Sequence, residues 1–281
     1  MARTGESTTG RLYVVGTPIG NLQDLSPRAR EVLGDVHVIA AEDTRRTRNL
    51  LSSIGLQIPI IAYHEHNERQ RAPELVDSLL AGQSMALVSD AGMPLISDPG
   101  WSLVRLARER GIEVLSVPGP SAVSAALSVA GLATDRYVFE GFLPRKAGLR
   151  RQRLELLARE DRTMVFFESV HRIADSLAAM AAQFGAARPA ALARELTKLH
   201  EATYTGSLEA LGARLGNDIP LLGEFVVLVG GRPREENNDD AELRRVYELL
   251  SKELPADRAL AVSAKLVGVA RNAAYRVLRM P

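Results

Sequence analysis

Four short apolar runs within residues 11–118 each end at the kind of loop that ligands use in open α/β sheets. The runs cover 12–15, 36–41, 85–88 and 113–117, with helical patterns at 27–33, 44–54, 73–80 and 101–110 between them. Apolar strands that alternate with helices predict a parallel sheet wrapped by helices. In the last helical window Leu103, Leu106 and Ala107 share one face, while Arg105, Arg108 and Glu109 take the other. Gly34 and Gly111 stand where helix C-caps are expected.

Three of the strand-end loops are unusual. They read Gly16-Thr17-Pro18-Ile19-Gly20-Asn21, then Asp90 through Gly100, then Pro118-Gly119-Pro120-Ser121-Ala122. Glycine lets a ligand approach bare backbone and proline stiffens the turn. Three such loops at one sheet edge predict a rigid pocket with few charged side chains. Neither Gly-x-Gly-x-x-Gly nor Gly-x-x-x-x-Gly-Lys-Ser/Thr occurs, which disfavours a pyrophosphate ligand, and no Gly-x-Ser-x-Gly elbow points to a serine hydrolase.

A second set of extended runs follows the helix at 121–129, at 137–142, 164–167, 190–193, 202–205 and 225–229. Helical windows lie at 154–158, 171–184 and 208–215, so this part predicts a mixed sheet with some antiparallel pairing. A polar linker then leads to a purely helical pattern. The expected organisation is a disordered tail at 1–10, an α/β lobe at 11–118, a second α/β lobe at 119–232, a linker at 233–240 and a helical domain at 241–281. The chain has 281 residues, long enough for two lobes at roughly 100–200 residues per domain.

With no cysteine, the chain has no disulfide, thiolate zinc site or cysteine nucleophile. That fits a reducing compartment, and the lack of a signal sequence or membrane span leads to the expectation of a cytoplasmic protein without a membrane partner. Net charge is +1, so an anionic partner must be met by local patches. One runs over 145–162, with seven basic residues against three acidic. Another covers 241–281, with eight against four. Within the second, Ala264-x-x-x-Gly268 followed by Val269, Ala274 and Val277 has helix-turn-helix spacing, leaving Arg271, Asn272, Arg276 and Arg279 to project outward. The readings are an RNA-docking appendage or a plain packing or dimer-stabilising bundle.

The three loops, together with Ala41-Glu42-Asp43-Thr44-Arg45, Tyr63-His64-Glu65-His66-Asn67, Gly141-Phe142-Leu143-Pro144, Phe167-Glu168-Ser169-Val170-His171-Arg172 and Ala193-Arg194-Glu195-Leu196-Thr197-Lys198, resemble the tetrapyrrole-methylase superfamily of class III methyltransferases. Within it they resemble the branch that modifies ribosomal RNA, from about Gly10 onward. Met93 departs from the threonine expected at its position. The resemblance implies two α/β lobes with the active site between them and a small C-terminal helix-turn-helix domain. It implies S-adenosylmethionine as methyl donor, with a ribose 2′-hydroxyl of a cytidine in the decoding region of 16S rRNA as acceptor. It also implies a homodimer. Carried over by motif, Pro18, Asp90, Ala91, Gly92, Ser121 and Ala122 contact the donor from the first lobe, and Phe167 and Glu168 from the second.

Which group removes the hydroxyl proton stays open among Glu42, Asp43, Arg45, His64 and Glu65, with Asp43 equally readable as a helix cap. His64-x-His66 lacks a clustered third ligand, so no required metal is expected. Two rival readings are a methylase of a corrin or sirohaem precursor and a DNA-binding regulator that senses a small ligand. Basic residues do not separate RNA from the first, whose substrates also carry many carboxylates, but the helix-turn-helix tail and the 41–45 segment favour RNA. Loops of catalytic character count against the second, so no DNA partner is expected.

Overall fold

The structure is a computed structural model that describes residues 9–232 and 239–279. The expected tail therefore lies largely outside the described residues, as does most of the expected linker. The chain divides into two compact units, 1–231 and 232–281.

The larger unit contains two five-stranded sheets. The first is built from β1 (Leu12–Val15), α1 (Pro27–Asp35), β2 (Val38–Ala41), α2 (Thr44–Ser53), β3 (Ile60–Ala62), α3 (Glu68–Leu80), β4 (Met85–Val88), α4 (Trp101–Glu109) and β5 (Val114–Val117). Its order is β3-β2-β4-β1-β5, with every pair parallel. All four residues of β4 are buried, as a central parallel strand covered on both faces requires. Met85 and Leu87 pack with α3 and α4, while Ala86 and Val88 pack against Ala29, Leu33 and Leu51 of α1 and α2.

Sequence patterning misplaces three details here. α1 runs through Gly34 to Asp35, because the Val36 N–H still donates to the Val32 carbonyl (3.2 Å), so Gly34 is no cap. A Cβ at Gly34 would come within 3.3 Å of Leu56. α3 begins at Glu68 rather than at Pro73, which sits inside the helix. The early start is held by Glu68, whose carboxylate accepts from the Gly100 N–H (3.2 Å) and the Ser102 hydroxyl (3.1 Å). β3 escapes the pattern because it is a three-residue edge strand just after Pro59. Gly111, by contrast, takes a φ of +72° directly after the C-cap of α4, where glycine is favoured.

The second sheet comprises β6 (Tyr137–Phe142), β7 (Thr163–Ser169), β8 (Pro189–Arg194), β9 (Ala202–Ser207) and β10 (Glu224–Val229), ordered β6-β7-β10-β8-β9. β6 and β7 are parallel and the other pairs antiparallel. One face packs on α6 (Ala147–Leu157), α7 (Ile173–Phe184) and α8 (Leu208–Arg214), with Leu154, Leu177, Met180 and Leu211 in the core. The opposite face meets α5 (Ala122–Val129), whose Val123, Ala126 and Leu127 pack with Val165, Ala191, Val226 and Leu228. α5 follows the last strand of the first sheet yet covers the second, so it ties the halves together. α6 starts before the expected 154–158 window because its first turns are exposed, Leu149 included, leaving only Leu154 and Leu157 to show a buried face.

The smaller unit holds α9 (Asp239–Leu250), α10 (Ala256–Val267) and α11 (Arg271–Arg279) around Leu243, Leu260, Ala264 and Ala274. Gly268 ends α10 with a φ of +79°, the left-handed conformation that the turn into α11 demands. Arg271, Asn272 and Arg276 are exposed. No helix among the described residues is long and apolar enough to cross a membrane.

Candidate methyl-donor cleft

The three glycine-proline loops lock onto one another through bare backbone. Thr17 and Gly92 exchange hydrogen bonds (Thr17 N–H to Gly92 O, 2.9 Å; Gly92 N–H to Thr17 O, 3.1 Å), and the Thr17 hydroxyl adds contacts to the Ser89 and Gly92 carbonyls. A Cβ on Gly16 would lie 2.6 Å from the Gly119 Cα, so neither position has room for a side chain. Gly20 is equally crowded by Leu196, Thr197 and Lys198, which brings the first loop against the second half.

These contacts frame a cleft of about 460 Å³ between the two sheets. From the first half it is lined by Ile19, Glu42, Arg46, the 90–93 turn, Ile96, Ser97 and Asp98, together with Ser121 and Ala122 at the start of α5. Phe142, Phe167, Ala193, Leu196, Phe225 and Val226 are prominent on the other side. Of the residues expected at the donor, Asp90, Ala91, Gly92, Ser121, Ala122, Phe167 and Glu168 line it; Pro18 does not.

The expectation of few charged side chains does not hold, because five carboxylates (Glu42, Asp90, Asp98, Glu168 and Glu224) and Arg46 line the cleft, the first three of them gathered on the first half. The Asp43 N–H donates to Asp90 Oδ1 (2.9 Å), the Asp90 N–H to Glu42 Oε2 (3.5 Å), and Arg46 approaches Asp90 Oδ2 at 3.5 Å. Burial pushes Glu42 above the usual carboxylate range, and the neighbouring Asp90 adds to the shift. Asp98 is raised to about 6, first by burial, with a hydrogen bond from Ser89 opposing and the charges of Glu42 and Asp90 reinforcing. The sequence motif contained Asp98, but only the fold shows it gathered with Glu42 and Asp90. Arg46 was missed because α2 decides which of two adjacent arginines faces the cleft.

The remaining acid–base candidates stand elsewhere. Asp43 is the N-cap of α2, accepting from the Arg45 N–H (2.8 Å), and the exposed Arg45 guanidinium folds back onto the same carboxylate. Those bonds hold Asp43 well below the usual carboxylate range. His64 and Glu65 follow β3 off the lining, with the His64 ring edge-on to His66 at 6.0 Å. Glu168 is buried, and its carboxylate accepts from the Ser176 hydroxyl (2.6 Å) and the Ser169 N–H (2.9 Å) beside Arg172 at 3.5 Å. It therefore pins β7 to α7 as well as lining the cleft. Among the described residues no group of three His, Asp or Glu side chains is placed to hold a metal.

The donor set fits S-adenosylmethionine. Apolar walls suit the adenosyl part, the carboxylates of Glu42, Asp90 and Asp98 suit a cation, and Gly92, with a φ of +81°, keeps the floor open.

Residues 11–212 match the model of the tetrapyrrole (corrin/porphyrin) methylases. The ribosomal RNA small subunit methyltransferase I of Xylella fastidiosa (strain Temecula1) is 50% identical over 270 residues, covering 96% of this chain and 99% of that protein. Its namesake in Escherichia coli O157:H7 is 46% identical, covering 98% and 96%. Among solved structures, a uroporphyrin-III-C-methyltransferase from Thermus thermophilus aligns with a TM-score of 0.54 at 22% identity, covering 79% of this chain and 94% of that one. A further Thermus thermophilus structure, complexed with S-adenyl homocysteine, aligns with a TM-score of 0.55 at 17% identity over 79% and 97%. At such identities these two speak for the fold. The chain belongs to the tetrapyrrole methylase family, in the group whose curated members are named ribosomal RNA small subunit methyltransferase I.

Proposed function

We propose that this chain transfers a methyl group from S-adenosylmethionine to small-subunit ribosomal RNA, at the 2′-hydroxyl of a cytidine in the decoding region of 16S rRNA. The observation that carries the reading is the cleft itself, where interlocked glycine-proline loops meet an apolar wall around Glu42, Asp90 and Asp98. The names of near-full-length relatives support the RNA class of substrate. The nucleoside and its oxygen rest on the motif resemblance.

When bound, S-adenosylmethionine supplies a methyl group on a positively charged sulfur. Asp90, Ala91, Gly92, Ser121, Ala122 and Phe167 hold it from both halves, and in-line positioning in a site that excludes water supplies much of the rate. Pro18 stiffens the first loop from behind the lining. Asp98 is the proton acceptor, since a carboxylate near pH 6 is ionised at neutral pH yet more basic than an exposed one. Glu42 supports it, and Asp43 acts by fixing Asp90 through its N–H. Arg45 and His64 stay outside the chemistry.

The helical unit presents Arg271 and Arg276 to phosphates, and the protein works as a cytoplasmic homodimer. Incubating the protein and labelled S-adenosylmethionine with unmethylated small subunits, a corrin precursor or duplex DNA tests the reading. Label is expected on RNA as 2′-O-methylcytidine; label on the corrin instead overturns it.

A further inference from the structure

The motif Gly141-Phe142-Leu143-Pro144 closes β6, and its geometry is not explained by donor binding. The pairing of β6 with β7 shifts register between Phe139 and Gly141. Gly141 takes a φ of +63°, and a Cβ there would stand 2.8 Å from Ser97 Oγ of the opposite half. Bulges near active sites re-aim the side chain that follows. Here that side chain is Phe142, which lines the cleft while remaining 57% exposed. Phe167 supports it edge-on at 5.7 Å, and Phe139 stands 4.9 Å behind Phe167.

The facing loop is distorted in a matching way. Leu95 (φ +72°) and Ser97 (φ +67°) both adopt the left-handed conformation that side chains disfavour. Strain of this kind gathers at functional sites. Between them Ile96 also lines the cleft, 44% exposed. Two irregular backbones thus meet at Ser97 and Gly141, and each carries an exposed apolar side chain at an adjacent position, Ile96 before Ser97 and Phe142 after Gly141.

We propose that Phe142 and Ile96 are the receiving surface for the base of the acceptor nucleotide, a use that rests on the RNA-methylation reading above. A nucleotide whose sugar reacts inside a cleft leaves its stack, and an unstacked base is held by aromatic and apolar side chains. Local charge favours RNA over a second copy of the chain as the occupant. Arg145 and Lys146 follow within four residues of Phe142, exposed and without an ion pair among the described residues, ready for the flanking phosphates.

The test compares Phe142→Ala, Phe142→Leu, Phe142→Trp and Ile96→Ala with the wild type on unmethylated small subunits. Base–aromatic stacking corresponds to about five- to hundredfold in affinity. Phe142→Ala is expected to raise the KM for RNA about tenfold or more, while S-adenosylhomocysteine binds within twofold of wild type. Trp restores the KM, Leu does not, and Ile96→Ala gives a smaller increase. The proposal is overturned if donor-product affinity falls in step with activity, if Leu restores KM fully, or if Phe142→Ala changes the molar mass in solution. A wild-type KM in Phe142→Ala, with RNA still methylated, sinks the base surface alone. Failure of the wild type to methylate RNA sinks the function and this surface together.

Discussion

The two halves of the larger unit reach similar size by different means. The first sheet is wholly parallel, so its loops gather at the strand ends and its tightest contacts are backbone on backbone, Gly16 against Gly119 and Thr17 against Gly92. The second is mostly antiparallel and contributes apolar wall plus a buried polar anchor, Glu168 with Ser176 and Arg172. Parallel topology concentrates chemistry along one edge. Antiparallel pairing next to it supplies shape and rigidity. The comparison therefore expects damage to the first half to appear mainly in ligand binding, and damage to the second mainly in stability.

The largest effect is expected at the buried anchor. Glu168→Ala strips the carboxylate from Ser176 and Arg172 and should cost about 3 kcal/mol, read by denaturant unfolding. Loss of donor affinity with no loss of stability would break the contrast. Next is Gly119→Ala, which forces a methyl group into the Gly16 backbone at an overpacking cost of about 1–3 kcal/mol. That distortion should weaken S-adenosylhomocysteine binding at least tenfold by calorimetry. Unchanged binding would mean that the interlocked loops do not shape the cleft.

Asp98→Asn sharpens the contrast through pH. The folded carboxyl titrates near 6 and the unfolded one near 4, so the folded state binds the proton more tightly between those values. Stability falls as pH rises through that window, and the ionised group is a net burden at neutral pH. The variant should be more stable than wild type at pH 7 by about 1 kcal/mol, after allowance for solvent screening, and should lose the acidic limb of the activity profile near pH 6. A wild-type profile would remove Asp98 from the proton-accepting role. Removing residues after Glu236 should weaken binding to small subunits about tenfold and flatten its salt dependence, leaving donor affinity intact. The smallest effect belongs to Asp43→Ala, where a lost helix cap costs about 1 kcal/mol in thermal unfolding.

Much of this was legible in the chain. Strand-length apolar runs, glycine-proline loops and the 264–277 spacing locate the sheets, the pocket loops and the turn between α10 and α11. Pro73 and Gly34 misled because the residues that extend α3 and α1 past them, Glu68 bonding to α4 and Val36 bonding back to Val32, act through contacts that local propensity does not encode. Asp98 and Arg46 were equally hidden, one inside a loop motif and one beside a more conspicuous arginine.

What the amino-acid order determined by itself was local: which segments are extended, where backbone is left bare, and which turns accept a left-handed residue, since these follow from side-chain volume and φ preference at single positions. What tertiary structure decided was company. Glu42 joins Asp90 and Asp98 of a distant loop in one cleft, Ser97 meets Gly141, and α5 crosses to the other sheet, because burial and Coulomb interaction depend on distances through space rather than along the chain.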